Sequence, residues 1–245
     1  MIRDNNLSVT TITETWFSSL DPPAIIHDVI PNGYSGLHYF RTPSRPGKRG
    51  GGVSNIYDER YQLKQYKTST KIDTFESLVF IMKDNLSSLT ITHIYRPPGP
   101  LSTQFMNQFS DLLAELFLDI GHEVVLLGDL HAPGRQPGTI NSALDDIQTS
   151  FNLLLLINEP TRGENGLDIL ATSSSRAVNS AVSSSNELSD HNFIKYQITS
   201  SDNSTLNSLH STVFRNFKFL TILRLRIIYL VQSYYLTYMY CIYLC

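Results

Sequence analysis

The chain has 245 residues, 41% of them hydrophobic and 17% charged, which suits one sizeable globular domain with a real core. Net charge is −3, and Arg215, Lys218, Arg224 and Arg226 are the only charged residues after Asp202, so the segment up to Asp202 holds 15 bases against 22 acids. That segment lacks the bulk basic footprint of a nucleic-acid binder, although clustered carboxylates can form a cation site. The only cysteines are Cys241 and Cys245, which excludes a disulfide framework and fits a reducing, intracellular compartment. No basic segment followed by an apolar run opens the chain, so no signal peptide is expected.

Residues 1–17 read as the end of a helix followed by a strand, because Val9-Thr10-Thr11-Ile12-Thr13 is β-branched throughout. Asp21 to Lys48 is rich in Pro and Gly and reads as surface loop. Arg41, Arg45, Lys48 and Arg49 cluster there, as a solvated loop or as the phosphate-contacting edge of a DNA groove. Gly50-Gly51-Gly52 opens a strand from Val53 to Tyr57. Phe75 to Met82 and Ser88 to Tyr95 read as a hairpin, stopped by Pro97-Pro98-Gly99-Pro100. Phe105, Phe109, Leu112, Leu113, Leu116 and Phe117 have the spacing of an amphipathic helix over 102–117, with Ser102 as its cap. A short apolar strand, Glu123 to Leu127, precedes a Gly-Asp turn. A helix over 141–152, a strand over 167–172, a Ser-rich loop over 173–186 and a final strand over 193–199 follow.

Beyond Ile198 the composition shifts. Residues 199–212 read as a polar linker. The tail 213–245 contains no Gly, Pro, Asp or Glu and six of the 13 tyrosines. Its last 19 residues, 227–245, are uncharged and near the length of a membrane span, with Arg224 and Arg226 as a flank. The stretch reads as a chance tail, read through past a break in a decayed element, with a membrane anchor or a helix packing on the domain as the alternatives.

Several short strings stand in a fixed order: Thr13-Glu14-Thr15-Trp16, Gly50-Gly51-Gly52-Val53, Tyr95-Arg96-Pro97-Pro98, Gly128-Asp129-Leu130-His131, Leu167-Asp168 and Ser189-Asp190-His191. Carboxylates at the ends of buried strands, together with one His, are what metal-assisted phosphodiester cleavage requires. The set resembles the endonuclease/exonuclease/phosphatase superfamily and, within it, the endonuclease domain of non-LTR (LINE-type) retrotransposons. The resemblance covers 1–198. It implies a four-layer α/β sandwich of two mostly antiparallel sheets flanked by helices, lacking the family's first strand with its metal-side Asn.

The resemblance also implies roles. Glu14 is the main ligand of Mg²⁺, with Mn²⁺ as a substitute, and Asp190 is a second metal-side carboxylate. Tyr95 donates to the scissile phosphate. Asp129 orients or deprotonates the attacking water. Asp168 fixes His191, which serves as general base or phosphate stabiliser. Arg96 is either a phosphate contact or a surface charge, and Trp16 is core. His131 stands where the family carries an Asn whose amide holds the phosphate or nucleophile. The remaining histidines, among them His38 and His93, read as structural. The expected partner is DNA, without a small-molecule cofactor, in the nucleus of an intracellular setting. The expected function is a Mg²⁺-dependent DNA endonuclease of retroelement origin, impaired by His131 and by the missing strand. The alternatives are a catalytically dead remnant, or a phosphatase or lipid phosphodiesterase of the same superfamily.

Overall fold

The computed structural model describes residues 7–41, 50–83, 88–120, 123–132, 142–173, 177–183, 189–198 and 209–215. These form two six-stranded sheets. The first runs in the order β10 (Ala177–Ser183), β11 (Phe193–Ile198), β12 (Leu209–Arg215), β1 (Val9–Thr13), β3 (Val53–Asp58), β2 (Tyr34–Tyr39). The second runs β4 (Gln62–Tyr66), β5 (Glu76–Lys83), β6 (Ser88–Tyr95), β7 (Glu123–Asp129), β9 (Asp168–Thr172), β8 (Leu154–Leu155). Pairing is antiparallel except between β1 and β12 and between β6 and β7.

The sheets pack face to face through alternate residues. Val9 of the first sheet and Ile194 and Tyr196 on β11 meet Phe80, Ile91, Val125, Leu127 and Leu170 of the second. Helix α2 (Thr103–Glu115) covers the outer face of the second sheet with Phe105, Phe109, Leu112 and Leu113, joined there by Leu144 of α3 (Ser142–Ser150). Each buried Phe on that face is worth about 3–5 kcal/mol against truncation to Ala. Ser102 caps α2 by accepting from the Phe105 amide at 3.1 Å. The helix continues as a π-helical turn over Leu116–Ile120. Glu115, near its end, accepts from Tyr66, from the Ser69 and Thr70 amides and from the Thr70 hydroxyl, which pins the 67–74 connection to the helix.

Several segments differ from the sequence reading. The stretch expected as loop over 21–48 contains α1 (Pro23–Asp28) and β2; β4 is an additional edge strand; and β10 lies in the Ser-rich loop. The larger difference is β12. It crosses the expected boundary between the linker 199–212 and the tail 213–245, and it is a central strand. Thr212, Val213 and Phe214 suit a strand, and two flanking neighbours satisfy its backbone on both edges. Among the described residues, β12 is the strand that joins β1 to β11. Residues 216–245, including the uncharged stretch 227–245, lie outside the described residues, as do Arg45, Lys48 and Arg49 of the basic loop. Among the described residues no helix is long and apolar enough to cross a membrane.

Candidate active site

The site forms where the C-terminal ends of β1, β6 and β7 meet the start of β9. β1 ends in a strained turn. Glu14 and Trp16 have φ of 54° and 61°, a left-handed conformation that costs non-glycine residues energy. The turn is held by the Gly50–Gly52 run, whose φ values are 103°, 94° and 85°. The Thr15 amide donates to Gly52 O and the Trp16 amide to Gly51 O, while the Gly52 amide donates to Glu76. A side chain at Gly52 would sit 2.5 Å from the Thr15 hydroxyl, so this close approach requires glycine. Strand end and glycine loop together bury Glu14 to 1% exposure. Trp16 is only half-buried; Phe17 takes the core position.

Tyr95 ends β6 and donates its phenol proton to Glu14 Oε1 at 2.6 Å. Beside it in register is Asp129, the last residue of β7. Gly128 precedes it because a Cβ there would lie 1.8 Å from Ile94 O on the neighbouring strand. Asp129 is fully buried, and its Oδ1 accepts the His131 amide at 2.9 Å. Asp129 in turn pairs with Asp168 at the start of β9. Thr161 holds that start by accepting from the Leu167 and Asp168 amides. Asp168 Oδ2 lies 2.8 Å from His191 Nδ1. Burial, reinforced by the charge of Asp129, pushes the Asp168 carboxyl above its usual range, against the opposing hydrogen bond from His191.

Of the sequence-predicted residues, Glu14, Tyr95, Asp129, His131, Asp168 and His191 come together. Tyr95 meets the His131 ring edge-on at 6.0 Å, and the rings of His131 and His191 lie 6.3 Å apart. Asp190 departs from the expectation. The bend at 189–191, in which the His191 amide donates to the Ser189 hydroxyl, leaves Asp190 44% exposed and ion-paired with Arg162 at 2.6 Å. Arg96 departs from both of its readings. It is 4% exposed and donates to four backbone carbonyls. Thr161 and Glu76 support the site with no motif to mark them in the sequence. His38 and His93 lie away from it, consistent with their structural reading. His38 bonds Ser54, and burial with the charge of His27 lowers it to about 4. His93 is fully buried.

Two imidazole tautomers follow from their acceptors. His191 Nδ1 faces a carboxylate, so a proton sits on that nitrogen. His131 Nδ1 faces both Arg96 O at 3.0 Å and Asp129 Oδ1 at 2.9 Å, so the same holds there. Asp129, Asp168 and His191 place ligand atoms within 4.8 Å of one another. With Glu14 alongside Tyr95, the donor set is mostly hard carboxylate oxygen, which fits Mg²⁺ or Mn²⁺ and not a thiophilic metal.

The two facing sheets have the fold of solved endonuclease/exonuclease/phosphatase structures. The endonuclease domain of TRAS1, a telomere-specific non-LTR retrotransposon, is 13% identical, covers 82% of this chain and 90% of its own, and has a TM-score of 0.59. An AP endonuclease from Leishmania major is 13% identical over 81% of this chain and 80% of its own, at a TM-score of 0.64. An endonuclease/exonuclease/phosphatase family protein from Leptotrichia buccalis is 14% identical over 81% and 90%, at 0.58. No protein-family model and no curated protein sequence matches the chain.

Proposed function

We propose that this chain is a divalent-metal-dependent DNA endonuclease of the non-LTR retrotransposon type, with low turnover, acting in the nucleus. The observation that carries the reading is the buried His191–Asp168 pair set beside Asp129, with Glu14 and Tyr95 bonded at the same sheet end. The fold is that of phosphodiester and phosphate-ester hydrolases, and two of the similar structures are named as endonucleases.

In this reading Asp129 orients the attacking water, and His191 Nε2 accepts its proton. Asp168 holds that tautomer and stabilises the imidazolium that forms. The Tyr95 phenol, now on Glu14, is placed to donate to a phosphate oxygen. Glu14 and Asp129 would hold the cation, which supplies charge neutralisation at the phosphorane-like transition state. Low turnover is supported by His131. The resemblance implies an amide donor at this position, whereas the His131 ring commits its Nδ1 to Arg96 O and Asp129.

The test is nicking of supercoiled plasmid by the full chain with Mg²⁺, with chelator, and in Glu14→Ala. Slow nicking that needs the metal and is lost in the variant is expected. Cleavage that persists in chelator would exclude the metal mechanism. Hydrolysis of p-nitrophenyl phosphate or sphingomyelin without nicking would move the chain to another activity of the superfamily, and no turnover on any substrate would mark a dead remnant.

A further inference from the structure

We propose that Arg96 is the positioning residue of the site: a buried guanidinium that fixes the Asp129–His131 turn and makes no contact with nucleic acid. This rests on the endonuclease reading for its kinetic consequence but not for its geometry.

Arg96 follows Tyr95 at the end of β6, where an exposed cation would be well placed to meet a phosphate. Instead the side chain folds inward to 4% exposure. Its Nε donates to Leu130 O at 2.5 Å, Nη2 donates to His131 O and to Gly99 O at 3.0 Å, and Nη1 donates to Pro100 O at 3.3 Å. The main chain of the same residue closes the arrangement. The Arg96 amide donates to Asp129 O at 2.8 Å, and Arg96 O accepts from His131 Nδ1 at 3.0 Å. Carbonyls on both sides of the catalytic turn are thus gathered by one residue. Beneath, the guanidinium carbon lies 5.3 Å from the Phe105 ring centroid on α2, so one flat face is stacked and desolvated.

The Arg96-Pro97-Pro98-Gly99-Pro100 string then has a physical reason. The prolines carry no amide hydrogen that would compete for these carbonyls. The turn returns the oxygens of Gly99 and Pro100 to the guanidinium three and four residues earlier. Burial disfavours the charged form of Arg96, and the nearby charge of Asp129 opposes that loss. The arrangement needs a planar fork with several donors in fixed directions. Lysine offers a single charged point and cannot reproduce it. His131, at φ 43°, sits in a backbone conformation that needs such external support.

The experiment compares the full chain with Arg96→Lys and Arg96→Met in three measurements. Amide hydrogen exchange is followed by NMR without DNA. Binding of a short duplex in chelator is followed against salt concentration. Nicking of plasmid in Mg²⁺ is resolved into kcat and KM. Both variants are expected to speed exchange at Leu130 and His131 at least about tenfold while β5 and β6 stay protected. The kcat should fall about a hundredfold, as misplacement by about 1 Å does, while KM stays within about twofold. The salt slope should be unchanged, since loss of a phosphate contact would reduce it by about one. A reduced slope overturns the proposal, as does unaltered exchange at 130–131. Loss of protection throughout both sheets also overturns it, by making Arg96 a general stabiliser. Should the unmodified chain neither bind nor nick DNA, the endonuclease reading fails, and the exchange measurement still decides the role of Arg96.

Discussion

The Tyr95 phenol reaches Glu14 Oε1 across 81 residues of sequence, at 2.6 Å and in a fully buried setting. One hydrogen bond therefore locks the end of β1 in the first sheet to the end of β6 in the second, across the mouth of the site. Tyr95→Phe keeps the ring and its contacts with Val53 and Leu78 but removes the donor. Stability should fall by about 1 kcal/mol, the usual net worth of such a bond. Metal-dependent nicking should fall about a hundredfold, in the range of a lost transition-state donor. Thermal unfolding and single-turnover kinetics measure the two separately. Equal rates in both proteins would leave Tyr95 with a packing role only.

Glu115 provides a contrast, because its four donors belong to scaffold and not to the site. Although burial opposes it, those hydrogen bonds hold the Glu115 carboxyl below its usual range. A depressed carboxyl contributes stability above its unfolded pKa, and that contribution is lost as pH falls through the folded value. Glu115→Ala should cost on the order of 3 kcal/mol at pH 7, because two amides and two hydroxyls lose their acceptor. The cost should shrink near pH 3. Denaturant titrations at the two pH values check this, and a penalty independent of pH would be the wrong outcome.

Strands with a strong one-dimensional signal are legible in the sequence. β1 is β-branched throughout, and the apolar run of β7 is buried on both faces. β2 and β4 lie at sheet edges with half-buried or exposed residues, so neither shows the apolar alternation of a half-buried strand. β12 escaped because its Ser/Thr composition matches the polar stretch before it, and its partners β1 and β11 lie far away in sequence. The site residues were legible as motifs at strand ends. The outward turn of Asp190 was not, because it depends on Arg162, which the bridge between Arg162 and Asn165 brings to the rim. Arg96 could not be read either. Its partners are carbonyls, which no side-chain pattern reveals.

His93 faces the space between the sheets, two residues before Tyr95 on β6. Neither ring nitrogen has a hydrogen-bond partner among the described residues, and the same holds for the side chain of Asn55 on β3. Burial alone lowers His93 from 6.5 to about 3. Between those values the unfolded chain binds a proton that the folded chain refuses. Stability is therefore complete above about pH 6.5 and declines as pH falls toward 3. The full effect is on the order of 5 kcal/mol at about 1.4 kcal/mol per pH unit. His93→Leu should flatten this acid limb and gain about 1 kcal/mol at pH 7, by removing polar atoms buried without partners. Unfolding midpoints between pH 4 and 7 report it. A limb unchanged in the variant would assign acid sensitivity elsewhere, with His38 the next group to change.

Thr212 sits mid-strand in β12, opposite Thr10 on one side and Lys195 on the other. Proline there removes an amide and is tolerated poorly in a central strand. Thr212→Pro should cost at least about 3 kcal/mol. It should also separate the strand carrying Glu14 from β11, which begins two residues after His191. Hydrogen exchange should rise in β1 and β11 before it rises in β6 and β7. Uniform protection in the variant would mean that the sheet does not depend on this strand.

His131 is the residue at which repair should raise activity. Its backbone φ of 43° lies in the left-handed region, which Asn adopts more readily than most residues. Its imidazole directs Nδ1 to Arg96 O and Asp129, so that nitrogen is committed within the turn. His131→Asn therefore relaxes the backbone and replaces the ring with an amide that can donate. Stability should hold within about 1 kcal/mol, because the amide to Asp129 bond belongs to the main chain and survives the change. Metal-dependent nicking should rise tenfold or more, equivalent to about 1.4 kcal/mol of transition-state stabilisation. Plasmid nicking by the two proteins, at matched Mg²⁺ and with thermal unfolding as the control for folding, measures it. If the unmodified chain nicks as fast as the variant, His131 is a competent member of the site and does not limit turnover.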